Sequence, residues 1–372
     1  MKYLMINVVC GIRSTGRICT DLAEELECQG NDVKIAYGRE EVPEQYQKYA
    51  VRIGNNMDVK LHALRARVFD DCCFGSKRAT EKFIEWVKVW NPDVIHLHNI
   101  HGYYINIKVL FEYLKSLNGS KKIIWTLHDC WAFTGHCSHF TAVNCDKWKN
   151  GCYACPQKRE YPQSLFFDRS KRNWEIKKQL FTEISNMSFV TPSNWLAELV
   201  KASFLSKYEV EVKHKTIDLA VFKPTFGDFR QQYNIMNMRI VLSVASAWSK
   251  KKGLDDLVQL SLLLPDEWIV VLVGLTKKQI RDVSRKSKRI LGIERTNSAR
   301  ELAEIYTASD VFVNLTYEDT YPTVNLESQA CGTPCITYRT GGSVESVPEE
   351  NVVEQGDLQG LLRKLEWISK SK

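Results

Sequence analysis

Tyr317–Ser346 reads YEDTYPTVNLESQACGTPCITYRTGGSVES, and the fold is decided here. Just ahead of it, Asp310–Thr316 (DVFVNLT) is the short apolar, β-branched run expected of a buried strand, and Thr333–Arg339 (TPCITYR) is another. Between them, Thr323–Cys331 suits a short helix ended by Gly332. The intervening loop carries Asp319, eight positions before Glu327 on the helix. Free N–H groups at the helix start, at Thr323 and Val324, suit phosphate. The two carboxylates suit sugar hydroxyls as hydrogen-bond donors. A polyhydroxylated, phosphorylated ligand is the expectation.

Working outward, the same alternation fills the chain. Strands are expected at Tyr3–Val9, Asp32–Tyr37, Val94–His98, Ile123–Leu127 and Ser188–Thr191, with a helix over Arg17–Gln29 marked by Ile18, Leu22 and Leu26. The second half repeats the pattern with Arg239–Ala245, Trp268–Gly274, Arg289–Gly292, Asp310–Leu315 and Pro334–Tyr338; helices fit Leu254–Leu264 and Ser298–Thr307. Periodicity lapses near 214–237. The expected organisation is an α/β chain with a domain over 1–216, a linker over 217–237 and a second domain over 238–372. Such parallel sheets bind ligands at the C-terminal ends of their strands.

The chain's 372 residues suit two cores rather than one. No apolar run approaches the ~18 residues of a membrane span, and the first residues read as a strand rather than a signal peptide. A cytoplasmic protein is expected. A net charge of +7 comes with no basic run interleaved with aromatics, so nucleic acid is not an expected partner. The charge suits a solvated surface, an anionic lipid surface or a pyrophosphate ligand. Twelve cysteines in such a chain argue against a disulfide framework; Cys10 and Cys335 read as buried small hydrophobes.

Four further motifs lie at strand ends. Gly11–Arg17 (GIRSTGR) follows the first strand, and its glycines, Gly16 above all, permit close backbone approach to a ligand, with Arg17 beside it. It lacks the GxGxxG pattern of dinucleotide sites. Ser249–Leu254 (SKKKGL) sets Lys250, Lys251 and Lys252 against the positive end of a helix, an oddity that a bound diphosphate would resolve. His128 ends the strand Ile123–Leu127, and His96 and His98 end another at the same edge. Thr340-Gly341-Gly342 follows the last clear strand.

The string EDTYPTVNLE…ACGTPCITYRTGG resembles the donor-site signature of the retaining glycosyltransferases of family 4, in particular bacterial enzymes of capsule and exopolysaccharide (colanic-acid-type) synthesis. There the two acids are both Glu; here the first is Asp319, shorter by one methylene. The resemblance implies the GT-B architecture, two Rossmann-like domains facing across a cleft. It also implies transfer of a hexose from a nucleotide diphosphate sugar, a UDP-sugar foremost, to a lipid-linked glycan acceptor. By the same resemblance Glu327 binds the donor ribose, Asp319 a hydroxyl of the transferred sugar, and Lys252 with Lys251 the pyrophosphate. The family's Arg, five residues before its Lys-Gly pair, is replaced by Ala247. His128 matches a THD-like motif that contacts the donor sugar, Gly16 and Arg17 the loop over the phosphates, and Arg295 a residue that helps hold base or phosphate. No cofactor is implied for catalysis. A nucleotide-sugar epimerase of the same fold, or a non-catalytic scaffold for another transferase, remain alternative readings.

His136–Pro156 (HCSHFTAVNCDKWKNGCYACP) holds Cys137, Cys145, Cys152 and Cys155, the last two as CxxC. Four soft ligands suit a tetrahedral structural zinc, with His136 and His139 as alternative ligands. Two labile thiol pairs or plain buried cysteines fit the same spacing. Finally, Lys60, Arg65 and Arg67 near Leu61, Leu64 and Val68 suit either a helix lying on the cytoplasmic membrane or an amphipathic helix packed on the sheet.

Overall fold

The computed structural model describes residues 1–371 and divides into two compact units, Met1–Lys213 and His214–Lys372. In the first unit the strands are β1 (Lys2–Ile6), β2 (Asp32–Tyr37), β3 (Ala50–Arg52), β4 (Val94–Leu97), β5 (Lys122–Thr126), β6 (Met187–Thr191) and β7 (Val210–Val212). Its helices are α1 (Arg13–Cys28), α2 (Asn56–Phe69), α3 (Lys77–Trp90), α4 (Ile107–Ser116), α5 (Ser170–Thr182) and α6 (Asn194–Lys201). The sheet runs β3-β2-β1-β4-β5-β6-β7, all pairs parallel. One face packs Leu4, Ile6, Ile95, Leu97, Trp125 and Phe189 with α3 and α4. The other packs Tyr3, Met5, Val33 and Ile35 on α1 through Cys19 and Ala23.

The second unit contains β8 (Arg239–Val244), β9 (Trp268–Val273), β10 (Ile290–Ile293), β11 (Val311–Asn314), β12 (Cys335–Tyr338) and β13 (Val352–Val353). Between them lie α7 (Phe229–Gln232), α8 (Leu254–Leu263), α9 (Lys277–Lys286), α10 (Ala299–Thr307), α11 (Thr323–Ala330) and α12 (Leu358–Ser371). The strand order is β10-β9-β8-β11-β12-β13, again parallel throughout. The near-continuous apolar runs of β8 and β9 follow from this, because helices cover both faces of the sheet.

Residues 217–237, read from sequence as a linker, are part of the second unit. Phe229 and Ile235 are buried in its core and Phe222 and Tyr233 pack against it. Few apolar residues in a short stretch hid this, because α7 is a single turn. The first helix also starts four residues earlier than its apolar periodicity suggests, at Arg13. The two sheets change winding direction between β1 and β4 and between β8 and β11. In parallel α/β sheets these switch points open a crevice at the carboxyl ends of the strands, where ligands bind.

Candidate active site

In the second unit the loops after β8 and β11 flank the switch-point crevice. Gly253 joins them: at φ +74° it caps α8, and a Cβ there would lie 2.3 Å from the Leu315 carbonyl oxygen. Only glycine permits that approach. The Tyr317 N–H donates to the Lys251 carbonyl at 2.8 Å, and the Thr316 hydroxyl donates to the same oxygen. Two adjacent lysines thereby meet two adjacent acids. Lys252 Nζ lies 2.9 Å from Asp319 Oδ2 and Lys251 Nζ 3.0 Å from Glu318 Oε2, while Lys250 is exposed. The oddity of lysines at the start of α8 is thus resolved by carboxylates from the neighbouring loop. The Tyr321 N–H donates to Asp319 Oδ1 at 3.2 Å, and Lys215 Nζ donates to the Tyr321 carbonyl at 3.1 Å.

The helix α11 begins at Thr323 after Pro322, with no side chain capping its start and no acid in its first turn. Thr323 and Val324 therefore keep uncapped backbone N–H groups, two and three residues after Tyr321, whose own N–H is held by Asp319. Asn325, fully buried, fixes the helix. It accepts from Asn314 Nδ2 at 2.8 Å and donates to Ser343 at 3.2 Å and Ser346 at 2.9 Å. The turn after Thr340 supports the acidic loop: its hydroxyl donates to the Thr316 carbonyl, and the Gly342 N–H donates to the Asp319 carbonyl. Half-buried Glu327 accepts the Tyr306 hydroxyl at 3.1 Å. Burial, and then the carboxylate beside it, push the Tyr306 hydroxyl well above its ordinary pKa, so it remains a donor. Arg295 is exposed in the loop after β10.

Sequence reasoning missed Glu318, Tyr306 and Asn325. Glu318 is buried with Oε1 unpartnered, and its adjacency to Asp319 opposite a lysine pair was the available signal. Tyr306 and Asn325 act through tertiary contacts that no local pattern announces.

In the first unit, Gly16 lies within the first turn of α1 rather than in a loop. A Cβ on it would meet Val9 Cγ2 at 3.1 Å and the Gly11 nitrogen at 3.2 Å, so this glycine serves close packing of the helix on the β1 turn. Arg17, one residue on, is exposed. Asn7, at the end of β1, accepts the Asn99 N–H at 3.2 Å and ties the β1 and β4 loops at the switch point.

The histidines at this edge form a connected group. His128, after β5, has Nε2 3.1 Å from His98 Nδ1, with the rings stacked 5.4 Å apart at 15°. The His96 ring lies 4.2 Å from that of His98 and meets Tyr3 at 2.9 Å and Thr126 at 2.7 Å. Burial lowers the His98 pKa to about 3, so it is neutral at physiological pH. Next to them His101 bridges Asp129 at 2.9 Å and Tyr161 at 3.0 Å. Burial opposes the Asp129 charge, but His101 prevails and holds the carboxyl at about 2.

The four cysteines of the 136–155 loop line one small pocket together with His136. Among the described residues, however, no three His, Cys, Asp or Glu side chains are gathered as a ready metal site. None of the described helices is long and apolar enough to cross a membrane. The packed face of α2 is His62 and Ala66 with Val59 and Ala63 against them, so Leu61 and Leu64 do not pack on the sheet; they are 59% and 61% exposed.

Residues 226–372 match the family model for glycosyl transferases group 1. Over 208 residues, the chain is 28% identical to a protein named as the colanic acid biosynthesis glycosyl transferase WcaC of Escherichia coli K12, covering 53% of this chain and 50% of that one. The chain thus spans about half the length of this curated relative. Among solved structures, sucrose-phosphate synthase of Thermosynechococcus elongatus superposes with a TM-score of 0.71 over 99% of this chain and 90% of its own, at 17% identity. HepE of Anabaena, in complex with UDP-glucose, does so with a TM-score of 0.63 over 100% and 90%, at 15% identity.

Proposed function

The second unit belongs to the glycosyl transferases group 1 family, and the chain has the GT-B fold; from that premise we propose that the protein is a retaining hexosyltransferase. Its donor is a nucleotide diphosphate sugar, a UDP-sugar foremost, and its acceptor a lipid-linked glycan of capsule or exopolysaccharide synthesis. One observation carries the reading. The lysines after β8 meet the acidic loop after β11, and that loop leads into the uncapped start of α11, the helix that carries Glu327, so cations, free N–H groups and two carboxylates follow one another along connected elements. Diphosphate, sugar and ribose call for those three kinds of group.

Glu327, held by Tyr306, accepts the ribose hydroxyls. Asp319 accepts a hydroxyl of the transferred sugar. Lys252 and Lys251 turn from their carboxylate partners toward the diphosphate, and the N–H groups of Thr323 and Val324 complete its binding. In the reaction the bond from the anomeric carbon to the diphosphate oxygen breaks, and positive charge builds on the sugar. Lys252 and the helix-start N–H groups take up the negative charge that grows on the leaving phosphate. The acceptor oxygen attacks the same face, and its proton passes to the departing phosphate oxygen, so configuration is retained. His128 contacts the sugar near the reacting carbon. Arg17, exposed on α1, and Arg295 are the further cations assigned to the phosphates or base, whereas Gly16 only lets α1 pack closely. The similarity to WcaC supports the polysaccharide role, and the exposed apolar residues of α2 support contact with the membrane that carries such acceptors.

A titration of the purified chain with UDP-, GDP- and ADP-sugars, beside Glu327→Ala, tests the reading without an acceptor. Saturable binding of one nucleotide class, weakened about 30-fold in the variant by loss of charged hydrogen bonds, is expected. Absence of binding by every donor to folded protein would overturn it.

A further inference from the structure

The loop between β5 and α5 is held to the first unit by more polar anchoring than a surface excursion requires. His136 is fully buried, and its Nδ1 meets Asp70 at 2.5 Å. The second oxygen of Asp70 accepts the Arg169 N–H at 2.8 Å, and the Asp70 carbonyl accepts Asn173 Nδ2 at 2.7 Å. Lys177, buried in α5, donates to the carbonyls of Trp131 and Thr134. Gly135 passes so close to α5 that a Cβ on it would overlap the Ser170 carbonyl oxygen. All these contacts fix the frame of the loop and leave its centre to the cysteines.

That centre has the chemistry of a metal site. Cys137, Cys145, Cys152 and Cys155 line one pocket walled by Phe140 and Trp148. The Gly135 N–H already donates to Cys152 Sγ at 3.2 Å, the type of bond that steadies a metal-bound thiolate. Lys147 Nζ donates to the carbonyls of Tyr153 and Ala154 and so shapes the turn between the two cysteines of the CxxC. An independent observation comes from His136. With Nδ1 on a carboxylate, its Nε2 is buried without a hydrogen-bond partner, as is Trp148 Nε1, and both residues line the cysteine pocket. Two unsatisfied ring nitrogens in a buried cysteine-lined pocket are costly. Beside a buried tetrathiolate, whose sulfurs carry negative charge, ring N–H groups gain acceptors. Disulfide pairing would leave them unsatisfied.

We propose that the 136–155 loop is a structural zinc site, with Cys137, Cys145, Cys152 and Cys155 as the four thiolate ligands and His136, oriented by Asp70, as a neighbouring donor to their sulfurs. Binding releases the thiol protons to solvent and draws the side chains inward, since no three of the described donors are yet gathered about one point. The proposal concerns the stability of the first unit and is independent of the transferase reading.

Metal analysis of the full-length chain, purified without chelator, is expected to give about one zinc per chain. Cys152→Ser/Cys155→Ser is expected to lose it, whereas Cys331→Ser, outside the loop, keeps it. Should the double variant fail to fold, cobalt(II) titration of the chelator-treated wild-type chain decides. Tetrahedral thiolate coordination gives intense visible bands that saturate at about one equivalent and are displaced by zinc. Wild-type protein without zinc and without those bands, or one carrying a Cys137–Cys155 disulfide by non-reducing mass spectrometry, would overturn the site.

Discussion

His98 shows how one buried side chain governs a half-buried one. Its Nδ1 holds His128 Nε2 at 3.1 Å, and burial keeps it neutral, so it fixes the ring orientation of His128 without adding charge. His98→Leu is expected to lower kcat about 10-fold with little change in donor KM, by analogy with outer-sphere partners of functional histidines. His98→Asn, whose amide reaches the Nδ1 position, is expected to recover part of the loss. Equal kcat in both variants and wild type would show that His98 only fills space. The sequence placed His128 and His98 at the same strand edge, because β5 and β4 were legible as apolar runs. It did not disclose the contact, which depends on the register Ile95 to Ile123 between strands. Glu318 was missed for a different reason: Asp319 already satisfied the spacing to Glu327, so the pairing of two adjacent acids with two adjacent lysines went unread.

Among the elements, α2 packs on the first unit by small and polar residues rather than by its leucines. Its mean periodicity is weak, and the buried positions are small or polar, His62 and Ala66, so apolar residues one turn apart point outward. Met57, Leu61 and Leu64 are each about 60% exposed, at spacings of one helical face, with Lys60 and Arg67 nearby. Such a helix is suited to lie on an anionic membrane. Flotation with anionic liposomes in low salt is the check: the chain is expected to rise with the lipid, and Leu61→Ser/Leu64→Ser to remain at the bottom. Wild type at the bottom would remove the membrane role from α2. The short strands β3, β7 and β13 and the single-turn α7 were also illegible, because two to four residues carry no measurable period. The long central strands were legible because their apolar, β-branched runs are long, whereas the need for glycine at 253, against the Leu315 carbonyl, was not.

Over the whole molecule, buried histidines set the response to acid. His62 accepts N–H bonds from Cys73 and Gly75 at Nε2, both at 3.1 Å, so its proton resides on Nδ1 toward Ser76. Burial lowers its pKa to about 4, and that of His98 to about 3. In the unfolded chain both titrate near ~6.5. The unfolded state therefore binds more protons between these values, and the stability from both groups is full above pH ~6.5 and lost as pH falls toward 3. For His62 the span is worth roughly 3 kcal/mol. His101 and His136, whose carboxylate partners overcome burial and raise their pKa values, act in the opposite sense, full below ~6.5 and lost above their raised values. Chemical denaturation at pH 7, 5.5 and 4 is expected to show falling stability, less steeply in His62→Gln, whose carbonyl can accept the same N–H groups. Identical slopes would show that His62 is not protonated on unfolding.

The strand order also bears on when the crevice comes into being. Neighbouring strands such as β1 and β2 can pair as soon as one helix has been made, but the pairs that flank the two switch points join distant parts of the chain. Asn7 and Asn99 are 92 positions apart, and Ser243 and Val313 are 70 apart. Loop closure makes such pairs the slowest to form, during synthesis and on refolding alike. A chain can therefore acquire most of its helix content while the ligand crevice is still absent, and ligand capture reports the last step of maturation rather than the first.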